Sequence, residues 1–331
     1  MLTPEKFGRA LAAAVGLLLA AVALAPLIGS SPISLERAFQ GESPDAEILF
    51  DIRLTRTLLA AAAGGALALA GVIFQALLRD ALATPFTLGV SNGAALGAVV
   101  AICFGWGTVG ELSALGLAAM VGALAVMGAV LKIASEGRRM SSFTLLLTGV
   151  TINSICMAAI LFLHSSAGFI QSFAIVRWLM GGIDSPRPAT LAAVGAGVLV
   201  ALGLTMAKAK DLNLLAVGED WALTRGTDVR ALMRFCFVLG SFLTAVITAM
   251  TGPIGFIGLI TPHALRMVVG ADHRLLVPAS FCVGGAFLVV CDTAARTMMA
   301  PAEIPVGVIT SMLGGPFFIW LLRSRRARVW L

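Results

Sequence analysis

Stretches of roughly 20 apolar residues recur along almost the whole of this chain. They fall near 10–29, 57–78, 86–106, 112–132, 143–164, 189–207, 232–251, 253–269, 276–295 and 304–322. A helix of about 20 residues crosses the ~30 Å hydrocarbon layer of a bilayer. Inside lipid, only helices and closed barrels satisfy every backbone polar group. The expected fold is therefore an all-α polytopic membrane protein of about ten transmembrane helices, forming a single transmembrane domain over residues 1–331. Only 12% of the residues are charged and the mean hydropathy is +0.99, whereas soluble domains carry about 25% charged residues. No soluble segment is large enough to hold an active site of its own. The first run follows Lys6 and Arg9 without a small-x-small cleavage site, so it reads as a retained span. The third and eighth runs are weak, rich in Gly, Pro and Thr, and such irregular helices survive only when packed inside protein.

Basic residues then orient the chain. With the N-terminus in the cytoplasm, the inner segments hold 17 of the 23 Lys and Arg, including Arg138, Arg139, Arg325, Arg326 and Arg328. The outer segments hold Arg37, Arg53, Arg56, Arg177, Arg187 and Arg296, and no Lys. The positive-inside rule places both termini in the cytoplasm, and the net charge of +6 reflects this orientation with no case for nucleic acid. Spans two to five and seven to ten then run in opposite directions, the layout of an inverted repeat. Small residues such as Gly64, Gly65, Ala68, Gly71, Gly195 and Gly197 are expected where helix backbones approach closely.

One long polar interruption, Asp211 to Arg234, separates the two sets of four spans. Asp211 can cap a short helix carrying Leu212, Leu214 and Leu215, with Gly218 as its stop. Asp220 can cap a second, carrying Trp221, Ala222 and Leu223, with Gly226 as its stop, and Thr227 or Asp228 can cap the next span. Short capped helices with exposed apolar residues read either as a docking surface or as a solvated connector.

No Walker loop, HExxH, nucleophile elbow or Rossmann fingerprint is present, so the chain is not expected to be an enzyme. Cys103, Cys156, Cys236, Cys282 and Cys291 are scattered singly, and His164, His263 and His273 lack metal-ligand spacing, so no metal site is expected. Ionisable residues are nearly absent from the span centres. Ion-coupled transporters need such groups there, which points to an energy source on another polypeptide; a stand-alone secondary transporter or channel is the rival reading.

The run RLTRTLLAAAAGGALALAGVIFQALLRDALATPFTLGVSNGAALGA resembles the signature of the FecCD-type permeases. These are the membrane subunits of type II ABC importers for iron–siderophore complexes, haem and vitamin B12. Six further motifs follow in order: Ser141–Val150, Arg177–Gly182, Leu212–Glu219, Gly252–Arg266, Gly270–Ser280 and Pro301–Leu322. The resemblance covers nearly all of the chain from about residue 50. Two positions depart from the family pattern: Asp80-Ala81-Leu82-Ala83 stands where Asn-Pro-Leu-Ala is usual, and Arg225 replaces a Leu before Gly226.

The resemblance implies a homodimer in the inner membrane, two ATP-binding cassette subunits beneath it, and one periplasmic substrate-binding protein. ATP and Mg would sit on the partner ATPase, with no cofactor on this chain. The cargo would be an iron chelate, siderophore or haem, with vitamin B12 as the alternative. The resemblance makes 211–230 the coupling helices, with Leu212, Leu215, Gly218, Glu219, Trp221, Ala222, Leu223 and Gly226 meeting the ATPase. It makes Ser141 and Ser142 a cytoplasmic gate, where a helix N-cap is the plainer reading, and Arg53, Arg56 and Arg296 the receptors for carboxylates of the binding protein, the alternative being pairing with nearby Asp51, Asp292 and Glu303. The translocation path would be lined by uncharged groups such as Gln75, Asn92, Asn153 and Ser154, with Met and Phe side chains.

Overall fold

The computed structural model describes residues 4–106, 108–109, 112–135 and 141–323. Arg138, Arg139, Arg325, Arg326 and Arg328, used above to orient the chain, lie outside the described residues. The chain folds into helices α1 (Pro4–Leu24), α2 (Leu35–Gln40), α3 (Thr55–Leu78), α4 (Val90–Cys103), α5 (Ala114–Ser135), α6 (Ser142–Ser165) and α7 (Phe169–Leu179). These are followed by α8 (Pro188–Ala207), α9 (Ala209–Val217), α10 (Glu219–Thr224), α11 (Val229–Thr251), α12 (Ile257–Val269), α13 (His273–Thr297) and α14 (Val306–Arg323). A π-helical lead-in, Glu47–Leu54, continues directly into α3. Two-residue strands, Thr108–Val109 and Leu112–Ser113, form a minute antiparallel ribbon before α5.

Seven helical stretches among the described residues are long and apolar enough to cross a membrane: α1, α3 with its lead-in, α5, α6, α8, α11 and α13. The other three expected spans correspond to the shorter helices α4, α12 and α14. At 14 and 13 residues, α4 and α12 reach only about 20 Å. The rest of each weak run is irregular backbone, over Asp80–Gly89 and Gly252–Phe256. Gly182 N–H donates to Thr251 O at 2.8 Å at the end of α11, and Gly252 takes a positive φ of 66° to turn the chain there. Helix α7 was not anticipated; its apolar run is too short to register as a span.

The packing pattern carries the inverted repeat. Helix α3 packs on α12 and α13, and its counterpart α11 packs on α4 and α5. Within the first set α4 contacts α5 and α6, and within the second α12 contacts α13 and α14. The two opening helices, α3 and α11, also pack on each other, so each closes over the opposite set. Almost every residue of α3 is buried, whereas α1 and α8 expose most of theirs.

Small residues permit the tightest of these contacts, as membrane helices require in the absence of a hydrophobic drive between them. A methyl built on Gly71 would stand 2.6 Å from Gly258 Cα and nearer still to its carbonyl oxygen. One on Gly64 would stand 2.7 Å from Leu288 Cβ on α13, and Gly65 is covered by the ring of Phe281. Gly195 and Gly197 differ from expectation: a methyl at either meets nothing within 4 Å, because α8 turns that side away from its own chain.

Candidate functional site

The stretch from 209 to 226 forms two short helices, as anticipated, with Gly218 between them and Gly226 at positive φ (82°) ending the second. The caps differ from expectation. Helix α9 begins at Ala209, almost continuous with α8, so Asp211 lies inside its first turn. Gly218 rather than Asp220 precedes α10. Asp228 does cap α11, its side chain accepting from Ala231 N–H at 2.9 Å.

The apolar residues of these helices divide into two sets. Leu212, Leu215 and Ala222 are buried in the core and root the pair, so they offer no surface to a partner as long as that packing holds. Val217 is 71% exposed, and Trp221 and Leu223 are each 50% exposed. Arg225 lies over the Trp221 ring at 5.1 Å from its centroid, a cation–π contact that gives the departing residue a use within the chain.

Polar contacts then tie each helix to a different part of the fold. Asn213 Nδ2 donates to Asp272 Oδ1 at 2.9 Å, and Asn213 Oδ1 accepts the His273 backbone N–H at 2.8 Å. Hydrogen bonds from Arg274 and Asn213 hold the Asp272 carboxyl well below the usual carboxylate range. Glu219, at the start of α10, pairs with Arg79 at 2.9 Å, just beyond the end of α3.

Ser141 caps α6, accepting from Thr144 N–H at 3.0 Å. Ser142 is buried; its hydroxyl donates to Leu77 O at 2.9 Å and lies 3.5 Å from Glu219 Oε1. The side chain of Ser142 thus points into its own subunit, joining the starts of α6 and α10 to the end of α3. Its neighbour Phe143 is 73% exposed.

At the other end of α3, about 35 Å from Arg79 along the helix, stand the outer arginines. Arg53 is buried and donates to Pro26 O at 3.3 Å and to Ser31 O. Arg296 is buried and donates to Ala25 O at 2.8 Å. Both guanidinium groups brace the turn after α1 and are not presented outward. Arg56 forms ion pairs at 2.9 Å with buried Asp292 and, also at 2.9 Å, with half-exposed Glu303. The local carboxylates thus occupy the fork that a partner's acid would need.

Between these ends lies a cavity of about 800 Å³ lined by Asn92, Met157, Met180, Met312, Phe86 and Phe256, among others. Asn92 is the one expected path residue among its lining groups. Gln75 lies elsewhere, its amide donating to Gly258 O at 3.1 Å and its carbonyl accepting from Arg266. Ser154 is exposed and donates to Val150 O of its own helix, and Asn153 packs by Gly89, outside the cavity wall.

Compared with known proteins, residues 17–324 match the profile of the FecCD transport family. This chain belongs to the FecCD transport family. The cobalamin import system permease protein BtuC of Halobacterium salinarum is 40% identical over 283 residues, covering 85% of this chain and 74% of that protein. The hemin transport system permease protein HmuU of Yersinia pestis is 38% identical over 306 residues, covering 91% of each. A solved metal-chelate-type ABC transporter in an inward-facing conformation superimposes with a TM-score of 0.83 at 28% identity, covering 96% of this chain and 99% of the other.

Several working residues of this FecCD chain escaped sequence reasoning. Asn213 lay in plain view inside the Leu212–Glu219 motif, as a lone amide between buried leucines. Arg79 was visible as a charge at the end of a span, but its partner Glu219 is 140 residues away. The three Met side chains of the cavity come from three separate segments, and no local pattern unites them.

Proposed function

We propose that this chain is the membrane-spanning permease subunit of an ATP-driven importer that carries a bulky metal chelate into the cytoplasm. The observation that carries this reading is α10, with Trp221 and Leu223 half exposed on a helix whose roots are buried. Aromatic residues of that kind anchor protein–protein interfaces, and the FecCD membership makes an ATP-binding cassette subunit the partner. ATP and Mg belong to that partner, and this chain performs no hydrolysis. Two copies of this chain, two ATPase subunits and one periplasmic binding protein make up the working assembly in the inner membrane, with both termini in the cytoplasm. The uncharged, Met- and Phe-bearing cavity suits an amphipathic chelate; an iron–siderophore complex or haem is the first choice. Vitamin B12 is the second, supported by the cobalamin permease relative at 40% identity.

At the outer end, the binding protein would meet Arg56. The half-exposed Glu303 can be exchanged for a partner carboxylate while the buried Asp292 pair stays intact. Arg53 and Arg296 support this surface from below. At the inner end, the starts of α6 and α10 form the gate region around Ser141 and Ser142.

The test is reconstitution of the permease with its ATPase and binding protein in proteoliposomes, comparing uptake of ferric siderophore, haem and cyanocobalamin. ATP-dependent accumulation of one chelate is expected. Uptake by the permease alone, driven by an ion gradient, would instead establish a stand-alone secondary transporter.

A further inference from the structure

A second, smaller cavity of about 220 Å³ lies at the coupling-helix end, walled by α3, α9, α12 and the start of α13. It holds roughly seven times the ~30 Å³ that one water occupies in the liquid. This is below the 300–1,000 Å³ of sites that enclose drug-sized molecules, so it takes a small group and not the chelate. Its wall carries Arg79, Arg266, His263 and His273, with a single acid, Asp80. Arg79 is matched by Glu219. Arg266 is only partly exposed and bonds to the neutral Gln75 amide; it pairs with no carboxylate among the described residues. A charge withdrawn from water without a counter-charge is costly unless an anion joins it.

The histidines refine the chemistry. His273 is 2% exposed, and its Nδ1–H is donated to Asn213 Oδ1 at 2.7 Å, an oxygen that can only accept. Its Nε2 is therefore a buried acceptor, and it has no partner among the described residues. Neither ring nitrogen of buried His263 has one either. The cavity thus offers the Arg266 guanidinium to an oxyanion, beside two imidazoles whose unpartnered nitrogens lie closed off from its space.

We propose that this cavity binds an anionic phosphate group, either inorganic phosphate or the headgroup of phosphatidylglycerol. The guanidinium of Arg266 pairs with phosphate oxygens in fork geometry. His263 and His273 close the wall beside it and bring no negative charge that would compete with the phosphate. Basic clefts between helices near the membrane surface are where anionic headgroups bind. The site adjoins Ala216 of α9, so an occupied cavity would brace the root of the coupling helices.

The test follows the unfolding midpoint of the detergent-purified full chain against increasing inorganic phosphate, phosphatidylglycerol or phosphatidylcholine. A saturable rise is expected with phosphatidylglycerol and none with phosphatidylcholine. A rise with inorganic phosphate as well shows that the phosphate group suffices; a rise with phosphatidylglycerol alone assigns the site to lipid. Arg266→Gln should raise the half-saturating concentration at least tenfold, the order expected for losing a charge-assisted hydrogen bond. Ala216→Glu places a carboxylate at the exposed rim without disturbing the core and should do the same, keeping the test decisive if the Arg266 variant fails to fold. No saturable response in the wild type, or unchanged affinity in folded Ala216→Glu, would overturn the proposal.

Discussion

Replacing Gly71 by Ala tests the central packing of the fold. The added methyl would stand 2.6 Å from Gly258 Cα, and relaxed carbon contacts need about 3.5–4 Å. The obstructing atoms are backbone on both sides, so no rotamer change can relieve the clash, and α3 and α12 must separate by roughly an ångström. Overpacking a well-packed core costs about 1–3 kcal/mol, and a backbone-on-backbone clash belongs at the upper end. At roughly 2 °C per kcal/mol for a large domain, the unfolding midpoint in detergent should fall by about 6 °C. Gly195→Ala is the matched control. Its methyl meets nothing and Ala is the better helix former by about 1 kcal/mol, so its midpoint should hold or rise. Gly71→Ala with a wild-type midpoint would refute the close approach of α3 and α12.

Other expectations follow from the same geometry. Trp221→Ala should leave the unfolding midpoint within about 1 °C, since the ring is half exposed, while interface anchors of this kind contribute about 2 kcal/mol or more to binding. Co-purification of the ATPase should therefore drop at least tenfold, and undiminished recovery would remove Trp221 from the interface. Arg53→Glu would set a carboxylate against the carbonyls of Pro26 and Ser31 and should cost about 3–5 kcal/mol, as an uncompensated buried charge does; a well-folded variant in size-exclusion chromatography would contradict the burial. Glu303→Gln should leave folding unchanged, because exposed ion pairs contribute under about 1 kcal/mol, and should alter the salt dependence of binding-protein association. Ser142→Ala strips a hydrogen bond from Leu77 O and should cost about 1 kcal/mol, read as a small loss in midpoint.

What the sequence revealed depended on the range of the physics involved. The spans were legible because each is a local run of apolar residues, and the weakness of the third and eighth foretold the short α4 and α12. The punctuation of 209–226 was legible at Gly218 and Gly226, where the chain must turn. Asp211 and Asp220 were misread as caps because composition does not show that α9 follows α8 with scarcely a break. The contacts of Gln75 were illegible for a related reason. Helix α3 is buried on every side, so no amphipathic stripe tells which neighbour a polar residue meets. The outer arginines were read as receptors for a partner's carboxylates; within the chain Arg53 and Arg296 bond to carbonyls near residues 25–31, and carbonyls leave no trace in side-chain chemistry.

The two short helices α9 and α10 are fastened in unlike ways. Helix α9 is held by buried Leu212 and Leu215 and by Asn213, which grips the start of α13. Helix α10 buries Ala222 alone, and its link to the first repeat runs through Glu219, whose ion pair with Arg79 is partly open to solvent. Prying away the first costs the transfer of two leucines from the core, about 1.5–3 kcal/mol each, and releasing the second costs a fraction of that. Helix α10 can therefore come away from α3 and α6 while α9 stays packed on both α3 and α13. Amide exchange should accordingly reach Glu219–Thr224 before Ala209–Val217.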